Sequence, residues 1–294
     1  MTLALLVKPT VWESRRAKAV LEVLQTSGAV VLQGSNRAEL SVELAALHSN
    51  HPELTLVACG GDGTVHLALN SMPDDVSLAV IPMGTGNDFS RYLGIKDVKT
   101  ALDVLSTGEA TALDYGLVTL ANGVQRKFLG VASCGFDAQV NERANTYRGP
   151  SGTLKYLAAL FVELSKLRPI NFTVVTDDDK IRSELLTLVA VGNTSSYGGG
   201  MKICPTANVS DGRFEVTYVQ AVTRRLLVSV LPKVFWGGHV SHPKVQQEAA
   251  SIVELGGDIF AVYADGERIG HGPVVITMQP GAVRVWQAQP TPTP

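Results

Sequence analysis

The stretch Leu54-Thr55-Leu56-Val57-Ala58-Cys59, followed without a break by Gly60-Gly61-Asp62-Gly63-Thr64 and a helical run from Val65, decides how this chain folds. Six residues that are apolar or β-branched suit a strand buried on both faces, and the glycines after them suit a tight turn that opens a helix. A strand that enters a helix in this way belongs to a parallel sheet with helices on its faces. The first backbone N–H groups of such a helix have no partner within it. They can point at an anion beyond the carboxyl end of the strand, and glycine lets a phosphate come close.

A second copy of this arrangement follows. Leu78 to Ile81 form the strand, Pro82-Met83-Gly84-Thr85-Gly86 the turn, and Asn87-Asp88-Phe89 begin the helix, with Asn87 or Asp88 suited to cap it. Two such turns lie side by side at the strand ends, where open α/β sheets collect their ligands. Neither GxxxxGK[ST] nor GxGxxG occurs, so the loops belong to another phosphate-binding type.

Upstream of these loops the same strand–helix alternation runs through Leu3 to Val7, Arg15 to Leu24, Ala29 to Leu32 and Ala38 to His48. It predicts an α/β nucleotide-binding domain over residues 1–119. Downstream the rhythm changes to short strands, among them Lys127 to Ala132, Asn171 to Thr176, Leu185 to Val191, Phe214 to Val219, Ile259 to Ala264 and Val283 to Gln287. Turn sequences such as Ser210-Asp211-Gly212 and Asp265-Gly266 separate them. A mainly antiparallel β domain is therefore predicted over residues 120–288, interrupted by helices at Leu154 to Leu167 and Arg224 to Trp236, with a disordered Pro/Thr tail at 289–294.

The chain has 294 residues, 45% of them hydrophobic, enough apolar material for two cores rather than one. Its 25 Lys and Arg against 27 Asp and Glu leave a net charge of -2, so no global basic field favours nucleic acid as a partner. Cys59, Cys134 and Cys204 lie far apart in apolar or glycine-rich sequence, which predicts buried free thiols in a reducing cytoplasm. Met1 to Val7 is too short for a signal peptide, and no apolar run reaches the ~20 residues needed to cross a bilayer. A cytoplasmic protein, with any membrane contact peripheral and at the inner face, is the expectation.

Gly60 to Thr64, read together with IPMGTGNDFSRYLG at Ile81 to Gly94, resemble the diacylglycerol kinase catalytic domain in its bacterial soluble lipid kinase branch. Gly135-Phe136-Asp137-Ala138, Gly192-Asn193, Tyr197 to Met201, Pro205-Thr206-Ala207, Asp211-Gly212 and Asp265-Gly266-Glu267 extend the resemblance in the same order over almost the whole chain. It implies a two-domain kinase that binds ATP and Mg2+ in the cleft between its domains and phosphorylates a lipid at a membrane surface, most plausibly diacylglycerol. A homodimer is compatible with it.

The resemblance also distributes roles. Gly60, Gly61, Asp62, Gly63, Thr64, Thr85 and Asn87 would cradle the nucleotide, with Asp62 acting through Mg2+. Asp88 and Asp114 would help hold that metal, while Asn208, Asp211 and Arg213 would form a second, structural Mg2+ site, Asn208 and Arg213 through their carbonyls only. Glu267 would be the general base, with Asp62, Asp265 and Lys155 completing the catalytic set. Phosphoryl transfer asks mainly for positioning and charge neutralisation, which glycine-loop amides, a metal and a lysine can supply.

Two alternatives stay open. NAD kinases carry a similar GGDG, although the Gly84 to Asp88 loop and the later motifs favour the lipid branch. Relatives usually have Asn-Glu where this chain has His66-Leu67, and Lys8-Pro9-Thr10 replaces an Asn-Pro-x-Ser-Gly pattern, which keeps a non-catalytic lipid- or nucleotide-binding homologue in view. The segment Arg224 to Trp236, apolar with basic flanks, is either a core-packed helix or an interfacial membrane contact. Ser241 to Lys244 matches SxxK by chance, His239 and His242 lack zinc-site partners, and Asp177 to Asp179 suit a hairpin turn.

Overall fold

In the computed structural model residues 2–8, 15–146, 159, 162–177 and 181–288 are described, and they fall into two compact units. One contains the described residues up to Leu113 and those from Gly281 onward; the other runs from Asp114 to Pro280.

The first unit alternates strands and helices: β1 (Leu3–Val7), α1 (Arg15–Thr26), β2 (Val30–Val31), α2 (Arg37–Asn50), β3 (Thr55–Gly60), α3 (Asp62–Leu69), β4 (Ser77–Pro82), α4 (Asp88–Tyr92) and α5 (Val98–Thr107). β3 pairs in parallel with β1 on one side and β4 on the other, in a register that sets Cys59 beside both Val7 and Ile81. β2 extends the sheet beyond β1, also in parallel. Every residue of β3 is buried, as befits a strand covered on both faces. Alternate strand residues Leu5, Val57, Ala79 and Ile81 pack against Leu21 and Leu24 of α1 and Ala101 and Val104 of α5. Asn36 and Asp97 cap α2 and α5 by accepting from the amides of Glu39 and Thr100.

The strands of the second unit are β5 (Glu109–Leu120, entering from the first), β6 (Gln125–Phe128), β7 (Val131–Gly135), β8 (Ile170–Thr176), β9 (Arg182–Gly192), β10 (Phe214–Gln220), β11 (Val245–Ala250), β12 (Ile252–Gly257), β13 (Ala261–Ala264), β14 (Glu267–His271) and β15 (Val274–Gln287). Its helices are α6 (Phe136–Thr146) and α7 (Arg224–Val230). The pairing is antiparallel: β9 carries β8 and then β7 along one edge and β10 along the other. Phe128 stacks on Phe214 at 5.8 Å between ring centres, and Phe172 meets Phe260 at 4.7 Å, in a core built from both inner faces.

The α/β and antiparallel β halves match the architecture expected from the sequence; several details differ. The chain passes between the compact units inside β5, after Leu113. It passes back inside β15, whose Val285 pairs in parallel with Leu78 of β4, so the last strand completes the first unit's sheet. The strand expected over Lys127 to Ala132 is broken at Leu129-Gly130, whose amides turn to Asp265 instead of a neighbouring strand. The helix expected over Arg224 to Trp236 is α-helical only to Val230 and continues as a 3-10 turn from Leu231 to Trp236, because Pro232 cannot donate the next helical hydrogen bond. The expected helix from Leu154 lies largely, and the tail 289–294 wholly, outside the described residues. The three cysteines are free and buried, and burial pushes the thiols of Cys59 and Cys204 up to about 12.

Candidate active site

The first unit holds two glycine loops packed against each other. A Cβ on Gly84 would run into the backbone of Gly61, and one on Gly60 would run into the side chain of Thr64, so only glycine permits this approach. Met83 N–H donates to Gly60 O at 2.9 Å and ties the loops together. Gly61 occupies the N-cap position of α3 with no side-chain bond to the helix start. Thr64, 1% exposed, has a hydroxyl with no hydrogen-bond partner. An uncapped helix start beside an orphaned hydroxyl fits a phosphate group.

The second loop is held by Asn87, whose backbone is left-handed at φ 53°. Its side chain accepts from Gly84 N–H at 2.9 Å and donates to Gly84 O at 2.8 Å. Asn87 is therefore not the side-chain cap that its position before α4 suggested. That role falls to Asp62 of the first loop, whose Oδ1 accepts from Phe89 N–H at 3.2 Å. A Cβ on Gly86 would lie 2.8 Å from Asp62 Oδ2 and 3.5 Å from Asp88 Oδ2, so the two carboxylates converge there. Asp88, 7% exposed, is also paired with Arg91 at 2.8 Å. Thr85 is exposed between the loop glycines, and His66 is buried in α3. Among the described residues no group of three or more His, Cys, Asp and Glu could hold a metal alone. Two carboxylates still fit Mg2+, which takes one or two of them and completes its shell with water and substrate phosphates.

In the second unit the turn Asp265-Gly266, with φ of 52° and 78°, delivers Glu267 as the exposed first residue of β14. Asp265 accepts from the amides of Leu129 at 3.1 Å and Gly130 at 2.8 Å, and its own amide donates to Val131 O. Its carboxylate thus anchors the turn rather than facing outward. Beside Glu267, Arg268 pairs with Glu142 of α6 at 3.3 Å.

Asn193, of the Gly192-Asn193 pair, is 0% exposed. Its side-chain amide donates to Leu129 O at 2.8 Å and to Asp114 O at 2.9 Å, and its backbone amide donates to Gly130 O. The signal for it is a polar amide ending the apolar run of β9. Asp114 in turn accepts from Gly212 N–H at 2.8 Å and donates its amide to Val209 O, fastening the loop that carries Asn208, Asp211 and Arg213. In that loop Asn208 accepts from Ser210, and Asp211 accepts from Arg213 N–H at 3.0 Å. Lys155 lies outside the described residues.

The chain thus has a parallel α/β unit with two abutting glycine loops and an antiparallel β unit that presents a carboxylate on a fixed turn. The family model described as "Diacylglycerol kinase catalytic domain" matches residues 9–118, and that of the "YegS C-terminal NAD kinase beta sandwich-like domain" matches residues 130–287. A diacylglycerol kinase of Mycobacterium tuberculosis is 39% identical over 245 residues, which cover 82% of this chain and 79% of the relative. One from Staphylococcus aureus is 32% identical over 215 residues, covering 71% and 66%. A diacylglycerol kinase structure from Bacillus anthracis shares the fold at a TM-score of 0.71 and 18% identity, covering 97% of this chain and 96% of that one. The chain belongs to the diacylglycerol kinase family.

Proposed function

We propose that this protein transfers the γ-phosphoryl group of ATP to the hydroxyl of diacylglycerol, giving phosphatidic acid. The observation that supports it most is the pair of abutting loops at Gly61 and Gly84, with the Asp62 and Asp88 carboxylates converging at Gly86. In this reading the α3 start and the Thr64 hydroxyl hold phosphate oxygens, while Asp62 and Asp88 hold Mg2+. The metal supplies neutralisation of phosphate charge when bound. Glu267 takes the proton from the lipid hydroxyl as that oxygen bonds to the γ-phosphorus, and the bond from phosphorus to the bridging oxygen of ADP breaks. Asp265 is a positioning residue that fixes the backbone before Glu267. The lipid is met at a membrane surface by peripheral contact; among the described residues no helix is long and apolar enough to cross one.

Incubation of the full chain with labelled ATP and a lipid panel tests this, and absence of any labelled lipid counts against it. Glu267→Gln is expected to abolish transfer while an ATP analogue still binds; an active Glu267→Gln protein removes the base assignment. The NAD kinase description of the second unit's model motivates a parallel incubation with NAD, in which NADP would establish the alternative. Binding of ATP and lipid without turnover would identify a non-catalytic homologue.

A further inference from the structure

Within the second unit lies a cavity that the chemistry above does not use. It is a partly open cavity of about 70 Å3. Its wall is formed by Leu188 and Val219 of the sheet and by Met201, with Leu227, Val230 and Val234 from α7 and the 3-10 turn after it. Among the side chains of the lining, Asp137, Tyr197 and His239 carry polar atoms. Asp137 accepts from Asn141 at 3.1 Å, and His239 is bonded through Nε2 to Ile203 O at 3.2 Å. Burial holds the imidazole of His239 below its usual range, so it adds no charge.

The segment that roofs this cavity also has an outer face. None of the residues of α7 is fully buried although most are apolar. Val228, Phe235 and Trp236 are 42%, 39% and 65% exposed, and Arg224, Arg225 and Lys233 are exposed around them. Exposed aromatic and aliphatic groups ringed by cations complement an anionic bilayer surface. One short segment therefore has an apolar inner face on a cavity and a membrane-compatible outer face.

We propose that the cavity roofed by Leu227 to Val234 receives an acyl chain of the lipid substrate, taken up from an anionic bilayer on which Arg224 to Trp236 rests. This rests on the lipid kinase reading. Hydrocarbon is the class the wall accepts, since a sugar or nucleotide would bury hydrogen-bonding groups against carbon. The path to the chemistry is short. Phe136 and Asp137, which line the cavity, begin α6, and Glu142 of the same helix pairs with Arg268 next to Glu267, a rise of ~8 Å.

A diacylglycerol bearing a diazirine near one acyl terminus, presented in phosphatidylglycerol vesicles to the full chain, tests the site without needing turnover. Irradiation is expected to label the stretch Leu226 to Val234, or Leu188 and Met201; label confined elsewhere, or none, overturns the proposal. Leu227→Trp and Val230→Trp, checked for unchanged unfolding temperature, should each fill the cavity, lower labelling about tenfold and raise KM for dioleoylglycerol about tenfold over that for dihexanoylglycerol. Equal effects on both lipids, or unchanged labelling, also overturn it. If the wild type phosphorylates no lipid but is labelled as expected, the kinase reading fails while the cavity stands. If it phosphorylates lipid but is labelled elsewhere, the cavity alone fails.

Discussion

Asn193 makes three hydrogen bonds from a fully buried position, and two of them reach the carbonyls of Asp114 and Leu129. Replacing it by leucine would remove both side-chain bonds, at about 0.5–1.5 kcal/mol for each. Asn193→Leu should lower the urea midpoint accordingly and cut kcat more than KM for ATP, because Leu129 and Gly130 hold Asp265 before Glu267. Equal losses in Asn193→Leu and Asn193→Asp with unchanged kcat would reduce it to a packing residue. His239 is a pH-sensitive counterpart. Its folded pKa is depressed, so the unfolded chain takes up the proton first; the stability it allows is complete above about pH 6.5 and falls as pH drops toward the folded pKa. His239→Gln, which can keep a donor to Ile203 O, should show a smaller decline in melting temperature from pH 7 to pH 5 than the wild type. Roles of this kind were hidden in the sequence, because an asparagine or histidine among apolar residues does not say which distant carbonyl it serves.

The two glycine loops are the elements most legible from sequence, since an apolar strand, a glycine turn and a helix start leave few other readings. What could not be read was their contact. The approach of Gly61 to Gly84 and the reach of Asp62 to the start of α4 depend on β3 and β4 pairing in one register, which composition does not report. Gly84→Ala is therefore expected to act through the first loop as well as its own, weakening ATP-analogue binding about tenfold or more by calorimetry while the far-ultraviolet spectrum is retained. An unchanged affinity would mean that the loops do not need this closeness to bind nucleotide. The same limit explains β6 and β7: the apolar run from Lys127 looks continuous, and only Asp265, far along the chain, shows why it breaks at Leu129-Gly130.

At the scale of the molecule, the first unit is assembled from both ends of the described chain. Trp286 donates to Thr55 Oγ1 at 3.3 Å, Arg284 donates to Ala110 O at 2.7 Å, and Val285 pairs with Leu78. A chain ending at Pro280 should keep the antiparallel unit and lose cooperative melting of the α/β unit, measurable as loss of one calorimetric transition or as insolubility on expression. The division into an α/β and a β-rich half was legible because the sequence rhythm changes near Leu120; the return of the last strand was not, because a short apolar run looks the same whichever sheet it joins.

That return has a consequence for the order in which the protein can be made. The segment Asp114 to Pro280 is continuous and can close its own sheet as soon as it has emerged from the ribosome, whereas the α/β unit, begun first, must wait for the strand after Gly281. Until then β4 has an open edge and the glycine loops stand on an unfinished sheet. The half synthesised first is thus the half completed last, and the glycine loops reach their final setting only when the strand after Gly281 has joined β4.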